Sequence, residues 1–402
     1  MTVPKLRFPE FRNAGEWEGK RLEDIAPLQR GFDLTSDQIK PGNIPVVYSN
    51  GVQKFHSIGM AKAPGLVTGR SGTIGKIHFI EVGDYWPHNT SLWVTSFKGN
   101  FPKFIYYLYK SIGTTRFASG SGVPTLNRNY VHAFYTYLPP SVNEQHKIAD
   151  CLSSIDSLIA AETQKLDTLK AHKKGLMQQL FPAEGETLPK LRFPEFRDAG
   201  DWEKKILLNL SDYSLSNGVF NDPKKVGKGY KLVNVSDMYI ESVINEDNLS
   251  LIEINRGEFL KNKVENGDIF FTRSSLVKSG IAHSNIYLGH SNDITFDGHL
   301  IRFRPNKETT FPIFVNYLLK TDHVRNQLVA RGKTATMTTI GQSDVGTVNL
   351  SIPHINEQQK IADCLSSLDD RISAQTKKNA TLKTHKKGLM QQLFPAIDEV
   401  KA

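Results

Sequence analysis

The sequence predicts a mixed α/β fold: two globular α/β blocks, separated by two long antiparallel coiled-coil helices, arranged as a pseudo-twofold tandem duplication. Three observations lead to this fold class. The chain repeats near-identical segments at matched places, two stretches carry a sustained heptad pattern, and the segments between them contain short strand patterns. Repeats of this length indicate that one structural unit is used twice.

Three pairs of near-identical segments carry the duplication. They are residues 4–18 and 189–203, 143–156 and 356–369, and 168–183 and 381–396. Between these segments the two copies barely resemble each other, and the second copy is the longer one. Drift alone would scatter the differences along the chain. The pattern therefore indicates that the shared segments face the same partner or each other, whereas the divergent blocks face different targets.

Two stretches follow a heptad register in which apolar residues alternate at spacings of four and three, as in a coiled-coil seam. Asn143 and Asn356 are expected to cap these helices, and Pro182 and Pro395 to end them. A helix of this length extends roughly 55 Å at 1.5 Å per residue. The predicted core positions are Ile148, Leu152, Ile155, Ile159, Leu166, Leu169, Leu176, Leu180, Ile361, Leu365, Leu368, Ile372, Leu382, Leu389 and Leu393.

The divergent blocks show the patterns of domain-sized α/β globules. Short apolar runs bounded by Gly, Pro and Asn predict strands at 46–48, 66–68, 77–80 and 91–94. Proline-led segments predict equivalent helices at 101–110 and 311–320. The predicted domains are residues 1–142, a first spacer helix at 143–182, residues 183–355, a second spacer helix at 356–395, and a tail at 396–402.

Two loops in each block combine glycine, hydroxyl and basic residues. They lie at 68–76 and 119–128 in the first block, matched loosely by 272–278 and 331–340 in the second. Such side chains suit DNA phosphates and base edges. Each loop alone is more typical of a surface turn, whereas the set, placed equivalently in both blocks, favours DNA contact. A net charge of +9 also favours a polyanionic partner. The candidate DNA contacts are Arg70, Ser71, Thr73, Lys76, Thr125, Asn127, Arg128, Arg273, Ser274, Ser275, Lys278, Arg331, Lys333 and Thr334.

Several other classes of protein fit the sequence poorly. Neither a secretory signal nor a membrane-spanning run is evident, and only two cysteines occur, so we expect a cytoplasmic protein without a disulfide framework or a metal site. The glycine-rich segment 69–76 fails as a phosphate loop, since Arg70 replaces the first glycine and Ile77 the magnesium-binding hydroxyl. We identify no catalytic residues.

In its repeated motifs the chain resembles the specificity subunit of type I restriction–modification systems. The resemblance rests on PKLRFPEF…W opening each half, on NEQ-x-KIADCLSS opening each helix and on HKKGLMQQLFP closing it, and it covers nearly the whole chain. It implies two target-recognition domains, each reading one half of a bipartite asymmetric DNA site. It also implies docking of two methyltransferase subunits, and possible association with two translocase–nuclease subunits.

The resemblance implies a non-catalytic subunit that binds double-stranded DNA and holds no cofactor. S-adenosylmethionine, ATP and Mg²⁺ are then expected on the partner subunits, which would direct adenine methylation and ATP-dependent restriction. Two alternatives remain at this point. One is a coiled-coil adaptor that bridges two partner subunits without reading DNA, and the other is a self-sufficient methyltransferase, which needs a methyl-donor pocket that the sequence does not reveal.

Overall fold

The computed structural model describes residues 3–120, 122–240 and 243–395. The chain forms two compact units, the first made of residues 1–163 with 378–402 and the second of residues 164–377. Each unit combines one block with the N-terminal part of one long helix and the C-terminal part of the other. None of the described helices is long and apolar enough to cross a membrane.

The first unit contains two four-stranded sheets and two strand pairs. The sheets have the orders β2-β9-β6-β7 and β4-β3-β8-β5, and the pairs are β1-β12 and β10-β11. The strands are β1 (Glu18–Arg21), β2 (Leu28–Arg30), β3 (Ile44–Tyr48), β4 (Gly51–His56), β5 (Ala61–Lys62), β6 (Gly65–Gly69), β7 (Ile77–Ile80), β8 (Asp84–Pro87), β9 (Ser91–Val94), β10 (Ala118–Ser119), β11 (Thr125–Leu126) and β12 (Tyr135–Leu138). The block helices are α1 (Leu22–Ile25), α2 (Pro102–Ile112) and α3 (Arg128–His132).

The second unit has a related topology with one four-stranded and two three-stranded sheets among its described residues. Its sheets have the orders β14-β21-β17-β19, β16-β15-β20 and β18-β23-β22, with the pair β13-β24. The strands are β13 (Glu203–Ile206), β14 (Ser216–Asn217), β15 (Val226–Val233), β16 (Ser250–Ile252), β17 (Ile269–Thr272), β18 (Ser274–Ser275), β19 (Ser284–Ile286), β20 (Ile294–Phe296), β21 (Leu300–Phe303), β22 (Lys333–Thr334), β23 (Thr338–Thr339) and β24 (Asn349–Ile352). The block helices are α4 (Arg256–Asn262), α5 (Pro312–Leu318), α6 (Asp322–Arg331) and α7 (Gln342–Gly346).

The two blocks differ mainly in their connections. Ser49 and Asn50 alone join β3 to β4, whereas residues 234–249 join the equivalent strands β15 and β16. The second block also has helix α4 between β16 and β17, where the first block has only the short strand β5. Much of the extra length of the second copy therefore lies in connections between strands, which also contribute the buried side chains of Met238, Ile244 and Phe259.

The long helices span Val142–Leu180 and Ile355–Leu393. The predicted caps were wrong, because Asn143 and Asn356 lie within the first helical turn. Ser141 precedes the first helix instead, and its hydroxyl accepts the Glu144 amide at 3.5 Å. Both helices end two residues before a proline, since the residue that precedes proline disfavours helical geometry.

The helices pair in antiparallel fashion, as predicted. In the first unit, Lys386 of the second long helix donates to Asp156 of the first, and Lys378 donates to Glu162 at 2.6 Å. Residue numbers therefore rise along one helix as they fall along the other. The predicted division into five domains stays a prediction, and its tail at 396–402 lies outside the described residues.

The heptad positions face away from solvent in the described helices. Ile148, Leu152, Leu180, Ile361, Leu365, Leu368 and Leu393 are buried. Ile155, Ile159, Leu166, Leu169, Leu176, Ile372, Leu382 and Leu389 are half-buried. The residues near the helix ends belong to the block cores as well as to the seam. Ile148, Leu152 and Leu393 pack in the first core with Trp17 and Phe104, so each block is anchored to both helices of its unit.

A buried ion pair fixes the opening segment of each half. The Arg7 guanidinium donates two hydrogen bonds to the Glu144 carboxylate, both at 2.8 Å, and the Trp17 indole donates a third at 3.2 Å. The side chains of Arg7 and Glu144 are only 9% and 1% exposed. The same cluster recurs in the second unit as Arg192, Glu357 and Trp202. The shared segments at the start of each half and each helix therefore bind each other.

A second duplicated cluster joins the block to both helices. Asp156 accepts hydrogen bonds from the Tyr107 hydroxyl at 2.8 Å and from Lys386 at 2.5 Å. Burial, together with the hydrogen bond to Asp156, raises the pKa of Tyr107, so its hydroxyl stays protonated and donates. Because the tyrosine lies on α2, the cluster sets the orientation of that helix. The equivalent residues of the second unit are Asp369, Tyr317 and Lys173.

Replacing Glu144 with alanine should destabilise the first unit strongly. It would leave the Arg7 guanidinium in a mostly buried place without a counter-charge, which costs about 3–5 kcal/mol. For a unit of this size that corresponds to a fall of about 6–20 °C in apparent melting temperature. Thermal unfolding monitored by circular dichroism measures this fall in melting temperature. Glu10→Ala is the matched control, since Glu10 pairs with Lys147 at the surface and should have little effect. Equal melting temperatures for the two variants would contradict the structural role given to the buried ion pair.

Candidate nucleic-acid interface

In the first block the two predicted loops meet at one surface depression. Main-chain bonds join them: the Leu126 amide donates to the Arg70 carbonyl at 2.7 Å, and the Gly72 amide donates to the Pro124 carbonyl at 3.1 Å. The depression has a volume of about 560 Å³. Its polar lining consists of Arg30, Arg70, Ser71, Thr125, Asn127 and Arg128. Five of the seven first-block candidates are thus neighbours.

Glycine makes this loop geometry possible. A Cβ atom on Gly69 would stand 1.8 Å from the Thr73 carbonyl oxygen, and Gly72 has φ +82°. A side chain at Gly69 would push the loop off the end of β6, and one at Gly72 would be strained. The loop therefore turns back sharply and presents Arg70 and Ser71 at its start.

The arginines of the depression are open to solvent. The Arg128 side chain has no ion pair or hydrogen bond within the described part of the chain, whereas Arg70 donates to the Asn89 carbonyl at 3.4 Å. Arg30 pairs with Asp33 at 2.6 Å. Burial lowers the pKa of nearby His88, which favours its neutral form at pH 7. The positive charge of the depression therefore comes from its arginines.

Three predicted residues of the first block behave differently from the rest. Asn127 uses its side-chain oxygen to cap α3, accepting the Asn129 amide at 3.0 Å. Thr73 and Lys76 do not line the depression. Thr73 is half-buried where the loop turns back, and Lys76 is exposed immediately before β7. The depression gains Arg30 instead, which sequence reasoning missed because only the pairing of β2 with β9 brings it near.

The second block builds the same arrangement from different side chains. The Ile340 amide donates to the Arg273 carbonyl at 3.0 Å, as Leu126 does to Arg70. The sheet β18-β23-β22 then gathers Arg273, Ser274, Ser275, Lys333 and Thr334. These main-chain bonds align Ile340 with Leu126, a residue-level match that the loose correspondence of the two sequence ranges did not provide.

Some basic residues of the second block are exposed, and others make an ion pair or hydrogen bonds. Arg273 and Lys278 are exposed, and Lys333 lies 3.8 Å from Asp344. The Arg331 guanidinium instead donates to the carbonyls of Gln327 and Thr347 at 3.0 and 3.2 Å. This predicted DNA contact therefore holds the end of α6 in the structure, with two of its five N–H donors bonded to carbonyls.

An exposed apolar pair lies among the polar residues of the second block. Leu276 and Val277 are 86% and 62% exposed, directly between Ser275 and Lys278. Apolar side chains at a reading surface can contact the thymine methyl group in the major groove. Sequence reasoning missed this pair because the residues resemble ordinary strand residues and only their exposure distinguishes them.

The chemistry of both surfaces suits binding. Guanidinium, amide and hydroxyl groups can donate to phosphates and to base edges. Among residues 3–120, 122–240 and 243–395, no group of three or more His, Cys, Asp or Glu side chains is placed to hold a metal ion.

Comparison with known proteins places both halves of the chain in one family. Residues 14–171 and 201–384 match the type I restriction modification DNA specificity domain. The MjaVIII specificity subunit of Methanocaldococcus jannaschii is 25% identical over 289 residues, covering 70% of this chain and 66% of that protein. The putative MjaX specificity subunit of the same organism is 23% identical over 315 residues, covering 75% and 69%. The chain thus spans about two thirds of the length of these relatives.

Solved structures show the same fold. An S subunit of a type I restriction-modification system from M. genitalium has a TM-score of 0.64 at 14% identity, covering 98% of this chain and 99% of that chain. A chain from work on complex assembly and conformational transition of the type I R-M system has a TM-score of 0.56 at 13% identity, covering 95% and 98%. Specificity subunits are the non-catalytic components of such systems. With both of its halves matched, this protein belongs to the family of type I restriction–modification DNA specificity domains.

Proposed function

We propose that this chain is the DNA-reading subunit of a type I restriction–modification complex, in which each block reads one half of a bipartite asymmetric site. One observation carries the proposal: two blocks of this specificity family present equivalent loop surfaces, built on the same main-chain hydrogen bonds but with different side chains. A shared arrangement of main-chain hydrogen bonds that carries different side chains suits a DNA site whose two halves differ in sequence.

The long helices would set the spacer between the half-sites and dock two methyltransferase subunits. Half-sites about one helical turn apart, roughly 34 Å, present the same face of a duplex. A 39-residue helix is long enough for that separation. S-adenosylmethionine would be bound by the methyltransferase subunits, and ATP with Mg²⁺ by nuclease subunits where these join. This chain would then direct adenine methylation and ATP-dependent restriction.

A coiled-coil adaptor that does not read DNA is the second candidate. It accounts for the paired helices and for the duplication. It does not account for an arginine-lined depression whose loops differ between the blocks. Phosphate contacts give binding a steep dependence on salt concentration. Binding of duplex DNA by the full chain with its methyltransferase, followed over a salt series, separates the two functions.

Arg128→Ala should weaken DNA binding at all sequences and reduce the slope of log K against log salt by about 1 if the arginine contacts a phosphate. A contact to a base edge would instead relax specificity at one position. Fluorescence anisotropy with duplex DNA measures both. Arg21→Ala is the control, because Arg21 is an exposed arginine of β1 outside the depression. Unchanged binding by Arg128→Ala would count against the assigned surface.

Exchanging residues 20–140 for the block of another specificity subunit should change one half-site only. Each block would read its own half through its own loops, so the other half and the spacer should stay the same. Sequencing the methylated adenines in cells that express the chimera with the methyltransferase gives the result. A change in both half-sites would contradict independent reading.

Lengthening both long helices by one heptad near their centres should lengthen the spacer and leave both half-sites unchanged. A seven-residue insertion keeps the seam in register. The same methylated-adenine mapping reads the outcome, with heptad-preserving substitutions of equal number as the control. An unaltered spacer would show that the helices do not set the distance.

A further inference from the structure

Each unit contains a groove that the DNA-reading function leaves unexplained. It lies between the C-terminal turns of a long helix and the turn that follows a block helix, α2 in the first unit and α5 in the second. The volumes are about 1050 and 520 Å³. Both grooves are lined by the same repeated helix segment, residues 381–396 in the first unit and 168–183 in the second.

Both grooves are strongly basic. Six cationic side chains line the first, of which Lys386 also pairs with Asp156, and no carboxylate is among its described lining residues: Lys5, Lys110, Arg116, Lys383, Lys386 and Lys387. Four lysines line the second, against the carboxylates of Glu184 and Asp322. Burial and the nearby Lys173 lower the pKa of Lys320 in the second groove to about 8. An anionic group in either groove would relieve this like-charge repulsion.

The grooves also have apolar walls. Met390, Phe394 and Pro395 line the first, and Met177, Phe181 and Pro182 line the second. The methionines are half-buried, and methionine adapts its shape to apolar partners. A DNA backbone would satisfy the lysines and leave these walls uncovered. The lining therefore matches a ligand that carries both carboxylates and apolar side chains, as a protein segment does.

The duplication shows which helix surface stayed the same. Residues 168–183 and 381–396 differ only at Ala171 and Thr384, and neither residue lines a groove. The helix centres, 157–167 and 370–380, differ at most positions. Lys174 and Lys387 are exposed and make no ion pair within the described part of the chain, so the fold does not explain their identity. Two grooves that share the same helix wall suit two copies of one partner.

We propose that each groove receives an acidic segment of the methyltransferase subunit, which inserts apolar side chains against the methionine and pairs its carboxylates with the groove lysines. This inference rests on the proposed function, and it names the surface and chemistry of docking. Each chain would therefore bind two methyltransferase copies, one per groove. Electrostatic complementarity of this kind makes association fast and sensitive to salt.

Charge reversal in each groove tests the proposal. Lys387→Glu and Lys174→Glu are compared singly and together with the wild-type chain in complex with its methyltransferase subunit. We expect each single variant to bind one methyltransferase copy in place of two, and the double variant to bind at least tenfold more weakly at both places. Analytical ultracentrifugation gives the stoichiometry. The matched control is His172→Glu with His385→Glu, since these exposed residues belong to the same segment and lie outside the grooves.

A parallel measurement of duplex DNA binding separates the possible outcomes. Loss of methyltransferase with retained DNA binding supports the proposal. Loss of DNA binding with full methyltransferase stoichiometry would assign the grooves to the DNA backbone and overturn the proposal. Unchanged binding of both DNA and methyltransferase would also overturn it. The wild-type chain is measured first: failure to bind any methyltransferase would refute the proposed function itself, whereas normal wild-type binding with unaffected variants refutes only the groove assignment.

Discussion

A carboxylate near the start of each long helix holds the opening segment of its half in place. Glu144 and Glu357 each accept two hydrogen bonds from an arginine and one from a tryptophan indole. A buried ion pair of this kind is a weak source of net stability but a strong constraint on geometry, because any other pairing leaves a charge uncompensated. The arginine, the tryptophan and the helix start must therefore keep one mutual arrangement in both halves.

The Tyr–Asp–Lys clusters extend that constraint to the block helices. Tyr107 and Tyr317 each donate to an aspartate on one long helix, which also accepts from a lysine of the other. Three elements are thus tied together by side chains that are the same in both copies. The rest of each block is free to diverge, and the connections around β15 and β16 show that it has.

The loops of the candidate interface illustrate how divergence is tolerated. Their mutual position depends on main-chain bonds, from Leu126 to Arg70 and from Ile340 to Arg273, which do not depend on side-chain type. The side chains can change without moving the loops, which is what a surface for different DNA sequences requires. The helix ends behave in the opposite way, since the helix walls of their grooves keep the same side chains in both units.

The sequence by itself determined the duplication, the two helices and four strands of the first block, because repeats and hydrophobic periodicity are local signals. It also predicted, as candidate DNA contacts, five residues that line one depression. It could not show that Arg331 is engaged by carbonyls, that Arg30 joins the depression, or that Leu276 is exposed, since each depends on segments far apart in the chain. The hydrogen bond from the Glu144 amide to Ser141 and the alignment of Ile340 with Leu126 were likewise decided only by the folded structure, where these hydrogen-bond partners come within reach.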